Sequence, residues 1–430
     1  MSKLKVRVNN AWAWPGGDLT ELPSVPGVML QPIDGGPTFY ADSGFSVSAP
    51  VLDDPNFFPI AVWFESVTQQ SDIDKDKDTG LNMYIALTTD SDMAMIRNND
   101  MYAVVERPDM HPGFGAETLG WLIADETDLF YSPGWDPGQG YAFQQSKVDA
   151  LPQGDGRFFY ANYTVGVILP TFGTVESSMV YINNFQHTVS NDFYWWTGHN
   201  IYLPAGSAPW NQASQFYRIY DHDLTQTQAR RSGHYGNTVG YMRKRLQDPN
   251  RWEPTWGFIE NGGPFPENVL SEYMTPEVMV SAVWHMIIQG ARGIIYFNHT
   301  FGADNQSQHN FRFPAYAAIQ AAAKIVNGQV QSLAAVINDN FALNFVTVSP
   351  GASTLSGIEV MAKYHTSKFY IFAGSRENDS TLQNATFTIP NGVGTTATVL
   401  FESRTIPIVG GEFTDAFANG NTVHIYRIDA

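Results

Sequence analysis

The chain of 430 residues contains no cysteine. This absence excludes disulfide bonds, thiolate catalysis, iron–sulfur clusters and cysteine-ligated zinc. Charged residues are also scarce, at 15% of the chain, and 42 acidic residues outnumber 24 Lys and Arg to give a formal net charge of -18. Because so acidic a surface repels phosphate backbones, we expect no nucleic-acid partner.

Long apolar segments are missing as well. The start, MSKLKVRVNNAWAW, has no continuous apolar run, so no signal peptide is visible. The most apolar long stretch, residues 278–297, is interrupted by His285, Gln289 and Arg292. We therefore predict a buried helix followed by a buried strand there, and no membrane insertion. The G-x-S-x-G motif of acyl hydrolases is absent too.

Hydrophobic residues reach 43% and aromatic residues 14%, which is enough for a large core. The length suggests one large domain with smaller ones beside it. Changes in residue composition and in the pattern of apolar residues divide the chain into a small N-terminal β segment (residues 1–50), a central α/β region (51–338) and a C-terminal region (339–430). The C-terminal region alternates apolar and polar residues between turns, and this pattern predicts a β-sandwich.

The central region contains eight short apolar runs that alternate mostly with helical patterns. The predicted strands lie in FFPIAVWFES (57–66), NMYIALTT (82–89), MYAVVE (101–106), LGWLIADE (119–126), GRFFYANYTVGVILP (156–170), NDFYWW (191–196), PTWGFIE (254–260) and GIIYFNHT (293–300). This alternation predicts an α/β fold, a (β/α)8 TIM barrel of parallel strands. A doubly wound sheet is the rival, but no Gly-rich phosphate loop follows the first strand.

Functional groups of such a barrel sit at the carboxyl ends of its strands. Glu126 ends the fourth predicted strand and Glu260 ends the seventh. These two acids would face one another across the barrel mouth. Two carboxyl groups that flank a cleft are what glycosidic bond cleavage requires, because one protonates the leaving oxygen while the other attacks or stabilises the anomeric carbon.

Three segments strengthen this interpretation: GWLIADE, TWGFIENG and RGIIYFNH. In their order and strand positions they resemble the clan of retaining (β/α)8 glycoside hydrolases. The resemblance covers about residues 57–430 and implies that Glu126 is the acid/base and Glu260 the nucleophile, with carboxyl groups about 5–5.5 Å apart. Clan members usually carry Asn before the fourth-strand Glu, but this chain has Asp125, so Asp125 and Glu126 remain alternatives for the acid.

Further residues near the strand ends are expected to contact the sugar. The predicted substrate-binding residues are Asp125, Glu65, Trp63, Asn162, Tyr194, Trp196, Trp256 and His299. The mechanism implies no cofactor and no metal. The one suggestive metal motif, SDIDKDKDTG (71–80), lacks the Gly and Glu of a calcium loop and is better explained as the start of a solvated helix.

A second resemblance concerns residues 35–63, GGPTFYADSGFSVSAPVLDDPNFFPIAVW. They are similar to segments of minor tail proteins from phages that infect actinobacteria. This resemblance implies an extracellular or virion-associated protein whose partner is a carbohydrate polymer, such as envelope arabinan or galactan. A non-catalytic glycan-binding or structural tail protein and an inverting enzyme remain alternatives. The sequence makes no prediction of oligomeric state.

Overall fold

The computed structural model describes residues 6–8, 11–13, 27–129, 137–168, 174–198, 224, 226–264, 273–300, 309–353, 355–377 and 382–429. Within them, eight parallel strands form one sheet. They are β1 (Ile60–Trp63), β2 (Met83–Ile85), β3 (Tyr102–Val105), β4 (Thr118–Asp125), β5 (Phe158–Tyr163), β6 (Thr188–Asn191), β7 (Gly257–Glu260) and β8 (Ile294–Phe297).

The sheet curls into a barrel that is nearly closed. Its strand order is β7-β8-β1-β2-β3-β4-β5-β6. The two edges meet where Val189 of β6 donates its N–H to Pro254 O (3.2 Å) and Trp256 donates its N–H to Val189 O (2.8 Å). The predicted TIM barrel is confirmed. One strand prediction was wrong, because the sixth strand is Thr188–Asn191 and the segment NDFYWW only begins at its last residue.

Helices follow most of the strands. The α-helices are Phe39–Asp42, Ala49–Leu52, Gln70–Asp78, Met93–Asn98, Pro137–Ala150, Val165–Ile168, Val175–Asn184, Gln226–Ala229, Gly233–Tyr241, Pro276–Ile288, Ala317–Ser332 and Ala334–Ile337. Short 3-10 turns cover Thr127–Leu129, Asn310–Arg312 and Pro314–Tyr316, and a π-helical turn covers Met242–Leu246. The apolar stretch 278–297 forms a buried helix and then β8, as predicted. No described helix is long and apolar enough to cross a membrane.

Both faces of the barrel strands are buried, which explains their apolar composition. One set of side chains packs against the helices. The other fills the barrel interior and includes Met83, Val104, Tyr160, Phe258 and Ile295. The N-terminal helix Phe39–Asp42 closes the lower end, where the Tyr40 ring contacts Phe158 (centroids 5.2 Å apart) and its hydroxyl bonds to Thr188 (3.1 Å). These residues therefore fill the amino-terminal end of the barrel.

The C-terminal region forms the predicted sandwich of two antiparallel sheets. Its strands are β9 (Asn340–Ala342), β10 (Thr347–Ser349), β11 (Ile358–His365), β12 (Lys368–Ser375), β13 (Gln383–Thr388), β14 (Thr396–Val399), β15 (Arg404–Pro407), β16 (Glu412–Phe417) and β17 (Val423–Asp429). The N-terminal strand Leu30–Gln31 extends the larger sheet by pairing with β9. Strands Val6–Val8 and Ala11–Ala13 form a separate antiparallel pair. Stacked rings such as Phe387 and Phe413 (4.8 Å) fill the space between the sheets.

A buried polar contact joins the barrel to the sandwich. His285 of the helix Pro276–Ile288 bonds through Nδ1 to Glu359 of β11. Gln289 donates to the other Glu359 oxygen (2.7 Å), and Arg376 lies 3.5 Å from it. Burial raises the pKa of Glu359, but the interactions with His285, Arg376 and Gln289 outweigh it and hold the pKa below the usual value.

We predict that Glu359→Gln lowers the free energy of unfolding by about 3 kcal/mol at pH 7, because it leaves the mostly buried Arg376 guanidinium and the buried His285 side chain without their carboxylate partner. Since the folded-state pKa of Glu359 is lowered, its stabilisation is present above the ordinary Glu pKa and is lost as pH falls through the lowered one. The difference between wild type and variant should therefore shrink on acidification. Thermal and urea unfolding measured as a function of pH test this.

Glu402→Gln is the matched control, because Glu402 forms a partly exposed ion pair with Arg404. The exposed fraction is 30% for the Glu402 side chain and 35% for the Arg404 side chain. It should cost less than about 1 kcal/mol. Equal losses for both variants would contradict a special role of the buried contact.

Candidate active site

The rim of the barrel is shaped by residues with left-handed backbone directly after strands. Phe64 (φ 57°), Ala86 (φ 56°) and Glu126 (φ 48°) follow β1, β2 and β4. Each donates its N–H to a carbonyl at the end of the neighbouring strand, at 2.8 to 3.0 Å. The conformation is unfavourable for residues other than Gly and re-aims the side chain that carries it. At Glu126, it affects one of the two predicted catalytic acids.

Glu260, the last residue of β7, is completely buried. Its Oε1 accepts hydrogen bonds from the Tyr235 hydroxyl (2.5 Å), the Thr197 N–H (3.0 Å), the Thr197 hydroxyl (3.1 Å) and the Trp196 N–H (3.3 Å). Its Oε2 is equally buried but has no hydrogen-bond partner among the described residues. The carboxyl group is thus held through one oxygen, while the other is desolvated and unpaired among the described residues.

The protonation of Glu260 is set by two opposing effects. Burial raises its pKa, and the hydrogen bonds from Tyr235 and Thr197 oppose the rise without cancelling it. Hydrogen bonds to the charged form favour ionisation, so Tyr235 and Thr197 help this acid to be a carboxylate. Neither was predicted from sequence, because one lies on the helix Gly233–Tyr241 and the other in a connection.

Three further acids lie at the carboxyl ends of β4 and β6. Asp125 ends β4, Glu126 directly follows it, and Asp192 directly follows β6. Asp192 is buried, and its Oδ1 has no hydrogen-bond partner among the described residues. Burial and the charges of Glu126 and Asp125 raise the pKa of Asp192 well above its usual value.

Asp125 is tied to the barrel interior by a chain of hydrogen bonds. Asn162 donates to Asp125 Oδ1 (3.0 Å), and Ser190 donates to Asn162 Oδ1 (2.6 Å). Tyr160 in turn bonds to Ser190. Desolvation, with further contributions from Glu126 and Glu106, raises the pKa of Asp125 to about 7, although the side chain reaches solvent. The two predicted sugar-binding residues Asp125 and Asn162 therefore lie together.

Tyr194 connects the two groups of acids. Its pKa is raised well above the usual value by burial and then by Asp192, Glu126, Glu260 and Asp125. The Tyr194 phenol is thus subject to the charges of both predicted catalytic residues, and the distance between the two carboxyl groups stays a prediction. The Tyr194 ring packs on Phe297 (5.3 Å) and Phe258 (6.2 Å) at the top of the barrel interior.

Glu65 and His299 are engaged in contacts within the protein. Glu65 is fully buried, and its oxygens are bound by Asn298 Nδ2 (2.5 Å) and by His309. Arg312 lies 3.4 Å from the same carboxyl group. His299 is buried and bonds through Nε2 to Trp63 O (2.9 Å). These contacts fix the rim, and the sugar contacts of both residues stay predictions.

The three predicted tryptophans lie at different depths. Trp256 is completely buried in the barrel interior, against Tyr160 (5.6 Å) and Phe158 (6.0 Å), so no ring face reaches the mouth. Trp63 lies higher, against Phe258 (5.4 Å).

Of the neighbouring pair, Trp195 points away from the mouth and donates to Thr238 on the helix Gly233–Tyr241 (2.8 Å). Trp196 lies beside Glu260, where its ring N–H donates to Tyr273 O (3.0 Å). Only Trp196 of these two is next to the predicted nucleophile.

Within the described part of the chain, no cluster of three or more His, Asp or Glu is placed to hold a metal ion. The segment SDIDKDKDTG begins within the helix Gln70–Asp78. It is less solvated than predicted, because Asp76 is fully buried and paired with Arg312 (2.6 Å).

No protein-family model and no curated protein sequence matches the chain. Among solved structures, it is similar to a noncanonic maltogenic α-amylase from Thermotoga neapolitana (8% identity, 88% of this chain and 99% of that chain, TM-score 0.49). It is also similar to an α-amylase from Geobacillus thermoleovorans complexed with acarbose (10% identity, 87% of this chain and 99% of that chain, TM-score 0.45). A third similar structure is a glycoside hydrolase family 30 subfamily 8 xylanase from Clostridium acetobutylicum (12% identity, 87% of this chain and 97% of that chain, TM-score 0.40). The fold assignment rests on strand order and register.

We predict that Glu260→Gln makes the protein more stable at neutral pH, by a few degrees in melting temperature, on the order of 1 kcal/mol. The raised folded-state pKa means that the wild type loses stability as pH rises above the ordinary Glu pKa of about 4.3. Gln keeps an oxygen for Tyr235 and Thr197 but carries no buried charge. Calorimetry at several pH values measures the difference, which should vanish below about pH 4.

Glu359→Gln is the contrasting variant, since the same substitution at a paired buried acid should destabilise. A loss of stability in Glu260→Gln at pH 7 would show that the Glu260 charge is compensated and that the site is not strained.

Proposed function

We propose that this protein is a glycoside hydrolase in which Glu260 is the nucleophile and Glu126 the acid/base. The observation that carries the proposal is the half-bound carboxyl group of Glu260, with Oε1 fixed by four hydrogen bonds and Oε2 buried without a partner. A structural acid would use both oxygens, as Glu65 does. An oriented, desolvated and unpaired oxygen is what attack on carbon requires.

The proposed reaction is a double displacement. Glu260 Oε2 forms a bond to the anomeric carbon as the glycosidic C–O bond breaks, and Glu126 gives its proton to the leaving oxygen. Water then attacks the same carbon, loses a proton to Glu126 and releases Glu260 as the carboxylate. The two carboxyl groups should be about 5–5.5 Å apart in this mechanism.

Asp192 and Asp125 support this assignment of roles. The acid/base must hold a proton when substrate arrives, and Asp192 and Asp125 both interact electrostatically with Glu126. Because close carboxyl groups do not readily ionise together, this group of three acids favours the retention of a proton. Of the two alternatives at the end of β4, Glu126 is favoured because Asp125 is bound by Asn162.

The proposed substrate is a neutral polysaccharide. The rim carries a dense group of acids and the chain has a net charge of -18, so anionic polymers would be repelled. Arabinan or galactan of an actinobacterial envelope is our first candidate, acted on outside the cell or from a virion. The similarity of residues 35–63 to minor tail proteins is the reason for this choice.

Product release from a panel of polysaccharides that includes actinobacterial arabinogalactan tests the proposal. Wild type should release sugars, and Glu260→Ala should lower release by a factor on the order of 10³ or more, because it removes the attacking group. Glu402→Gln, on the sandwich surface, is the control and should act like wild type. The anomer formed first, observed by NMR, distinguishes retention from inversion of configuration.

Equal sugar release by wild type and Glu260→Ala would contradict the assignment of Glu260 as the nucleophile. Binding to a panel glycan without any release would instead favour the glycan-binding protein. An inverted first product would leave the hydrolase but replace the double displacement by a single one.

A further inference from the structure

Phe64 combines two features that are each unfavourable. It adopts left-handed backbone (φ 57°) and exposes 50% of its surface. Bulky residues in this region of φ are genuine outliers, and the usual occupant is Gly. An exposed aromatic ring also gains nothing from burial. Folding alone therefore gives no reason for Phe at this position. Because Phe401 in the sandwich shares both features, it is the place of Phe64 on the barrel rim that points to function.

The residues on both sides of Phe64 are immobilised. Trp63 is buried against Phe258 and accepts a hydrogen bond from His299. Glu65 is bound by Asn298 and His309. The Phe64 N–H itself donates to Ile85 O (2.8 Å). The ring is therefore presented on a fixed backbone, so that binding a ligand against it would cost little conformational entropy.

The location of Phe64 indicates what it could bind. It follows β1, which is two strands from β7 and Glu260 around the same rim. Its ring packs edge-on against buried His299 (6.0 Å), which leaves much of the ring facing solvent. Apolar sugar faces stack on such rings. The acidic rim excludes an anionic partner, so a neutral glycan fits this position best.

We propose that Phe64 is a stacking platform for a further sugar unit of a neutral glycan chain, beyond the bond between Glu126 and Glu260. The inference rests on the proposed function for the identity of its ligand. It implies that the protein recognises an extended chain and not a single glycoside, because the platform lies on the rim and outside the group of catalytic acids.

Phe64→Gly tests this inference, because Gly accepts the backbone conformation and removes only the ring. Phe401→Gly is the matched control: Phe401 has φ 66° and is 52% exposed, but it lies in the sandwich between β14 and β15. Both variants should fold with equal or higher melting temperature. Binding is measured by calorimetry with xylohexaose, maltoheptaose, linear arabinan and linear galactan, with Glu260→Gln as the common background to prevent turnover.

We expect Phe64→Gly to weaken binding of the recognised glycan about 3- to 10-fold and Phe64→Trp to retain it, whereas Phe401→Gly changes nothing. In active protein, Phe64→Gly should raise KM for the polymer more than it lowers kcat. Equal affinity of Phe64→Gly and its background overturns the inference, and so does the absence of binding to every panel glycan.

The stacking role of Phe64 and the proposed hydrolase activity can each fail while the other holds. Glycan binding that depends on the Phe64 ring but is not followed by hydrolysis would support the stacking role and contradict the proposed hydrolase activity. Hydrolysis that depends on Glu260 but not on Phe64 would support the proposed hydrolase activity and contradict the stacking role of Phe64.

Discussion

The burial of the Glu260 carboxyl group is the constraint on which the barrel mouth depends. Removing an acid from water is costly unless its oxygens are hydrogen-bonded. Here the donors come from the segment after β6 and from the helix Gly233–Tyr241, so that one carboxylate holds together Trp196, Thr197 and Tyr235. The same contact that organises the rim leaves Oε2 buried and, among the described residues, without a hydrogen-bond partner.

The barrel interior explains why the polar groups gather at one end. Aromatic and aliphatic side chains fill the space below the rim, and Phe39 and Tyr40 close the lower opening. The acids at the strand ends therefore lie above an apolar barrel interior. In such surroundings the interactions of Asp192 and Asp125 with the neighbouring acids are stronger than in water, which is why burial and like charge raise the pKa of both aspartates together.

Seven of the eight barrel strands were predictable because their buried faces are continuous apolar runs. The sixth was misplaced for a physical reason. Its inward residues Thr188 and Ser190 are polar and bond to Tyr40 and to Tyr160 and Asn162, so β6 has no apolar signature. The neighbouring aromatic segment was taken for the strand instead. That error hid Asp192, which would otherwise have been recognised as an acid at a strand end.

The sequence by itself determined the class of fold and the positions of the acids, since both follow from short-range patterns: apolar runs, helical periodicity and a carboxylate at the end of a run. Only the tertiary structure decided what each acid does. Glu65 and Glu260 both end apolar runs, yet one is bound through both oxygens and the other through one. That difference arises from hydrogen-bond partners far apart in the chain, such as His309 for Glu65 and Tyr235 for Glu260, and no local pattern encodes such partners.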